Sequence, residues 1–235
     1  MEATTQNKNN TPRKKDNPLL NIGLNVVLPS IILFNLSSEK YLGEKWGLIL
    51  AVSFPIGYGL VDYLRQKKIN FFSGLGLFSI IMTGGIGLLK LPREMMVWKE
   101  TGIPLLMGLA VIISQKTEVP LVRSFLDQLI DLDKIKNAFK ETGEPDYFEK
   151  TLSHSSYLLG GTFFISAFLN YVLAIEILVG QPGSEEFNKS LAKMTALSFP
   201  VITIPMMVMV AGIMFYLFKS ITKKTSLDIE SVFRQ

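Results

Sequence analysis

Four side chains that could do chemistry sit inside otherwise apolar stretches: Lys99, Glu100, Asn170 and Glu176. A lone charge at the centre of a membrane helix costs about 3 kcal/mol, less near the interface. Such groups are therefore expected to pair or to line a site. Lys99 and Glu176 fall at similar depth from the same side, and the spacing predicts that they pair, tying the fourth apolar segment to the fifth. Two uses stay open. One is a packing ion pair that snorkels at the rim; the other is a polar pocket, with Glu100 and Asn170, for an ion or a substrate.

Other chemistries find little material. The chain has no cysteine, so disulfides and thiolate metal sites are excluded. One histidine, His154, rules out a site needing several imidazoles, and its place at the entrance to the fifth apolar segment suggests a solvated interfacial residue. The glycines around Gly84-Gly85-Ile86-Gly87 follow no strand and have apolar flanks, which favours helix packing over phosphate binding. No catalytic residue, cofactor, metal or nucleic-acid partner is expected.

The elements that position these groups are six apolar blocks, at 19–37, 47–64, 71–89, 95–114, 157–180 and 195–218. About 20 apolar residues cross a hydrocarbon core of roughly 30 Å as a helix, and helices satisfy their own backbone there. The expected fold is an all-α polytopic membrane protein: a bundle of about six transmembrane helices plus one cytoplasmic amphipathic helix. The stretch 102–114 is too short to cross by itself, so the fourth helix must begin near Met95 and carry Lys99 and Glu100 with it. Residues 1–18 read as a disordered basic tail, 19–218 as the membrane domain and 219–235 as a second tail. The first block reads as a retained signal-anchor helix.

Basic residues set the orientation. Assigning alternate connections to one side places 17 of the 24 Lys and Arg residues there and 7 on the other. Both termini and the long 115–156 segment are then cytoplasmic, as in a bacterial inner membrane. Trp46 and Trp98 fall at the outer interface, Tyr63 and Tyr157 at the inner one.

Smaller features attach to single helices. Asn21 and Asn25 share a face of the first, and Asp62 stands three residues before Arg65 on the second. Pro29, Pro55, Pro104, Pro200 and Pro205 interrupt four of the apolar helices. Each removes a backbone donor, and broken helices are a device for building midplane sites.

Within the connection 117–155, the stretch 120–139 places Leu121, Phe125, Leu129 and Leu132 on one stripe, with Val122 and Leu126 beside it. That spacing predicts an amphipathic helix that lies against the bundle or offers a surface to a partner.

Several motifs carry a resemblance. Gly84-Gly85-Ile86-Gly87-Leu88, Val97-Trp98-Lys99-Glu100-Thr101 and Ile113-Ser114-Gln115 resemble the intracellular septation protein A family of bacterial inner-membrane proteins. Pro120-Leu121-Val122-Arg123, Asn170 and Thr195-Ala196-Leu197 agree, and the likeness spans roughly 47–218. A longer polar N-terminus, a longer 117–155 segment and one more apolar block point to a diverged member. The resemblance implies a non-enzymatic role in envelope maintenance and septation through division or envelope membrane proteins, with self-association open. It supplies no catalytic residues. The alternative is a small transporter or channel with its polar site between the fourth and fifth helices.

Overall fold

The six apolar blocks are helical over nearly all of what the computed structural model describes, which is residues 23–66, 71–118, 120–127 and 129–233. The expectations for the 1–18 tail and for Asn21 lie outside those residues, and so do the side chains of Asn25, Asp62 and Arg65. A π-helical turn, Gly23–Val27, leads into α1 (Leu28–Leu36). There follow α2 (Gly43–Gln66), α3 (Phe71–Leu88) and α4 (Arg93–Ser114). Two short helices, α5 (Leu121–Leu126) and α6 (Leu132–Glu141), precede the long α7 (Pro145–Ile177). The last helix starts as α8 (Glu185–Ser198), passes through a π-helical turn at Phe199–Thr203, and continues as α9 (Ile204–Lys224). Among the described residues there is no strand, only an isolated antiparallel bridge between Ile130 and Phe233.

Three helices are long and apolar enough to cross a membrane: Arg93–Ser114, Pro145–Ile177 and Glu185–Lys224. Within the most apolar stretch of the third, only 11% is buried inside the protein. Phe168, Met207, Val208 and Phe215 are each more than 60% exposed. Water-soluble monomers rarely show apolar patches above a few hundred Å². Length, composition and outward-facing side chains together define a membrane protein.

The helices overrun the apolar blocks. α7 begins twelve residues before the expected 157, and the final helix begins ten before the expected 195. At 1.5 Å per residue the two run about 50 and 60 Å, well beyond a ~30 Å core. Local signals account for both starts. Pro145 supplies the N-terminal turn of α7, and Ser184 caps α8 by accepting from the Phe187 N–H. The break at Phe199–Thr203 contains Pro200 and is followed closely by Pro205, neither of which has an N–H to donate.

The connections sort into two ends. At the first, Asn188 Nδ2 donates to the Glu44 carbonyl (3.0 Å) and to Ser37 Oγ (3.3 Å). There too Arg93 Nη1 donates to the Leu178 carbonyl at 2.7 Å. At the opposite end α5, α6 and the start of α7 gather with the chain's C-terminal stretch. Lys224 pairs with Glu144 at 2.8 Å, Lys134 Nζ donates to the Ser231 carbonyl at 2.7 Å, and the Asp131 N–H donates to the Val232 carbonyl at 2.8 Å. The expected tail 219–235 is thus folded over its described length: it completes α9, then packs Val232 into the interior.

The single amphipathic helix expected over 120–139 is two helices. Asp131 breaks it by accepting from the Lys134 N–H (2.9 Å) as the N-cap of α6. Val122, Leu126 and Leu132 are buried, with Ile135, Phe139 and Phe148, in a cluster between this segment, α7 and α9. Leu121, Phe125 and Leu129 stay exposed. Arg123 holds α5 against α7 by donating to both oxygens of Glu149, at 3.1 and 2.9 Å, and Lys136 adds an ion pair at 3.2 Å. Glu149 lies about two turns before the apolar part of α7. Partial burial pushes its carboxyl upward, but hydrogen bonds and charge from Arg123 and Lys136 outweigh this and leave it below its ordinary value.

α4 and α7 form the most extensive helix pair. A Cβ placed on Gly160 would lie 2.7 Å from Ile112 Cγ1, and one on Gly108 would lie 3.1 Å from the Gly160 carbonyl oxygen. The two backbones touch because neither residue has a side chain.

Candidate functional site

Beneath the first end, α1, α2, α3, α4, α7 and α8 surround a cavity of about 370 Å³. Three of the four polar residues singled out in the sequence line it: Lys99, Glu100 and Asn170. Lys99 lies about 9 Å along α4 from Arg93, and Asn170 about 10 Å along α7 from Ile177. The site therefore sits within one half of the bundle, nearer the first end than the centre.

Lys99 is 8% exposed, yet carries a charge. Its Nζ donates to Glu100 Oε1 at 2.6 Å and to Thr83 Oγ1 at 2.8 Å. Consecutive helical residues do not ordinarily face each other, so the flexible lysine stem has to bend toward its neighbour. The ion pair costs desolvation on both sides; side-chain exposures of 5% for Lys99 and 21% for Glu100 put the heavier share on the lysine.

The expected Lys99–Glu176 pair is not formed. Glu176 is exposed and does not line the cavity. Six residues beyond Asn170, it is rotated by about 240° around α7, which turns it off the face that Asn170 presents. Lys99 takes the carboxylate next to it in sequence instead.

Asn170 donates through Nδ2 to the Ser166 carbonyl (2.8 Å) and to Ser166 Oγ (3.3 Å). The hydroxyls of the cavity were not singled out in the sequence. Thr83 donates to the Ser79 carbonyl at 3.0 Å, Thr195 to the Leu191 carbonyl at 2.9 Å and Ser198 to the Met194 carbonyl at 2.9 Å. Each spends its hydrogen on its own helix and keeps oxygen lone pairs as acceptors. The usable signal was their position: Ser198 precedes the Phe199-Pro200 break, and Thr83 precedes a glycine pair.

Two prolines and a π-helical turn meet at the same place: Pro29 of α1 and Pro55 of α2 line the cavity, as do Ile202 and Thr203 of the turn. Gly84 and Gly87 bring α3 close to Val52 and Leu48 of α2, which also line it.

The other residues of interest lie elsewhere. His154 is exposed and meets Tyr216 edge-on at 5.9 Å between ring centroids. Among the described residues, no group of three His, Asp or Glu side chains is placed to hold a metal ion. Leu121, Val122, Phe125, Leu126, Leu129 and Leu132 belong to the opposite end.

Comparison of the chain with family models, curated proteins and solved structures finds no match. The site is therefore read from its own chemistry.

Proposed function

We propose that this chain is a multi-pass inner-membrane protein of bacterial type that binds and carries a small polar solute through the cavity at Lys99, Glu100 and Asn170. In this reading it crosses six times, with both termini in the cytoplasm and the cavity in the outer half of the bilayer. The carrying observation is the cavity itself: polar groups from separate helices converge on one space that is also lined by two prolines and a π-helical turn. The sorting of the connections into two ends supports the six-span topology, as does the excess of basic residues on alternate connections. In this reading the protein is non-enzymatic, and Lys99 and Glu100, which bind each other, serve to hold the solute.

The lack of cysteine makes the test direct. Thr195→Cys and Ser198→Cys should react in proteoliposomes with a small charged thiol reagent, and pre-treatment should block solute uptake. No reaction from either face, together with no uptake, would reject the proposal.

A second reading rests on Leu121, Phe125 and Leu129, an exposed apolar stripe at the cytoplasmic end. It suits docking of division or envelope membrane proteins, or of another copy of this chain, as the septation-family resemblance implies. Crosslinking in cells from position 121 or 129 tests it; capture of lipid alone counts against it.

A further inference from the structure

Ser79 and Thr203 also line the cavity, and their hydroxyls can donate as well as accept; the other polar groups there are largely committed. Lys99 carries three N–H groups, and two are taken by Glu100 and Thr83. One N–H is left. Glu100 Oε2 receives no hydrogen bond from any described residue, and neither does Asn170 Oδ1. Thr195 and Ser198 have spent their hydrogens on their own helices and keep only lone pairs.

Charge narrows the class further. Lys99 and Glu100 cancel, so a cation or anion entering alone would bring uncompensated charge into a poorly solvated site. A solute of zero net charge avoids that cost. One with separated opposite charges also gains from both halves of the pair, provided that it enters between them.

Building on the solute-binding reading above, we propose that the ligand is a small zwitterion bearing an ammonium and a carboxylate, an amino-acid-like solute. Its carboxylate takes the remaining Lys99 N–H. Its ammonium donates to Glu100 Oε2 and to the oxygens of Thr195 and Ser198. A volume of about 370 Å³ stands at the small end of the roughly 300–1,000 Å³ range of ligand pockets. It corresponds to about a dozen waters at 30 Å³ each, which suits a short side chain and excludes a peptide.

The test is equilibrium binding to the purified full-length protein in lipid nanodiscs. L-Alanine and L-serine are the zwitterions, with ethylamine, propionate and acetamide as matched cation, anion and neutral probes. The expected result is binding of the zwitterions at least tenfold tighter than of the other three. Lys99→Met and Thr195→Val should each weaken it by at least tenfold. The Thr195 hydroxyl is bonded only within its own helix, so this second variant keeps the test decisive if Lys99→Met does not fold. Tighter binding of ethylamine, propionate or acetamide overturns the zwitterion assignment while leaving a solute site in place. Zwitterion binding unchanged in both variants overturns it as well. If no probe binds and Thr195→Cys is unreactive to thiol reagents, the solute-binding reading fails with it.

Discussion

Removing one partner of the Lys99–Glu100 pair should cost more than removing both. Glu100→Gln leaves an ammonium with 5% side-chain exposure facing a neutral amide. Breaking a fully buried pair costs about 3–5 kcal/mol. The carboxylate keeps 21% exposure, so solvent reaches part of the site and the expected loss is about 2–4 kcal/mol. Lys99→Met should cost less, about 1–2 kcal/mol, because the carboxylate it leaves is the more exposed member of the pair. The double variant buries an apolar chain beside a neutral amide and should fall within about 1 kcal/mol of the parent. The coupling across the double-mutant cycle is then about 2–5 kcal/mol. It is measurable by reversible unfolding in mixed micelles, followed by circular dichroism. Additive single losses, with a coupling below about 0.5 kcal/mol, would refute the buried pair and with it the charge argument for the cavity.

Other outcomes follow from named contacts. Gly160→Val drives a side chain into Ile112 and should destabilise by about 1–3 kcal/mol, whereas Gly161→Ala, with no atom within 4 Å of the added Cβ, should be nearly neutral; thermal unfolding compares them. Glu149 contributes stability that is complete above its ordinary value of 4.5 and is lost as pH falls through its lower folded-state value. A pH series of unfolding midpoints should therefore lose that acid-side dependence in Glu149→Gln. Asp131→Ala removes the α6 cap and should cost about 1 kcal/mol, with faster hydrogen exchange over residues 132–135 as the local readout. Glu39→Cys and Lys140→Cys, both at exposed positions, should label with an impermeant maleimide from opposite faces of oriented vesicles; labelling from one face would break the six-span topology.

Much of the helix content was legible because hydrocarbon imposes a crude requirement, a run of apolar residues long enough to cross. The same criterion is blind to polar helix that continues beyond the lipid. Residues 185–194 and the first turns of Pro145–Ile177 were therefore read as connections, although Ser184 and Pro145 are ordinary start signals. The break at Asp131 was also visible in principle, as a capping residue in the middle of an apolar stripe. Periodicity outweighed it because 121, 125, 129 and 132 fit one face. What the sequence did not contain was the burial of Ile130 and Val232, which depends on the C-terminal stretch folding back over α6.

The candidate site shows the same division. Depth along a helix is readable from sequence at 1.5 Å per residue, and it placed Lys99, Glu100 and Glu176 at similar depth. Azimuth is not readable without knowing which faces pack, and that is where Glu176 was misassigned. The glycine contact between α4 and α7 sets their facing sides, turning Asn170 toward the cavity and Glu176 away. The prolines then acquire a use beyond tolerance. Pro29, Pro55 and the Phe199–Thr203 turn all line the cavity, and Pro55 removes a backbone donor from the interior of α2 there. That the prolines, the hydroxyl oxygens and the one remaining lysine hydrogen all meet at the same void is difficult to account for by packing, which would be served as well by apolar side chains.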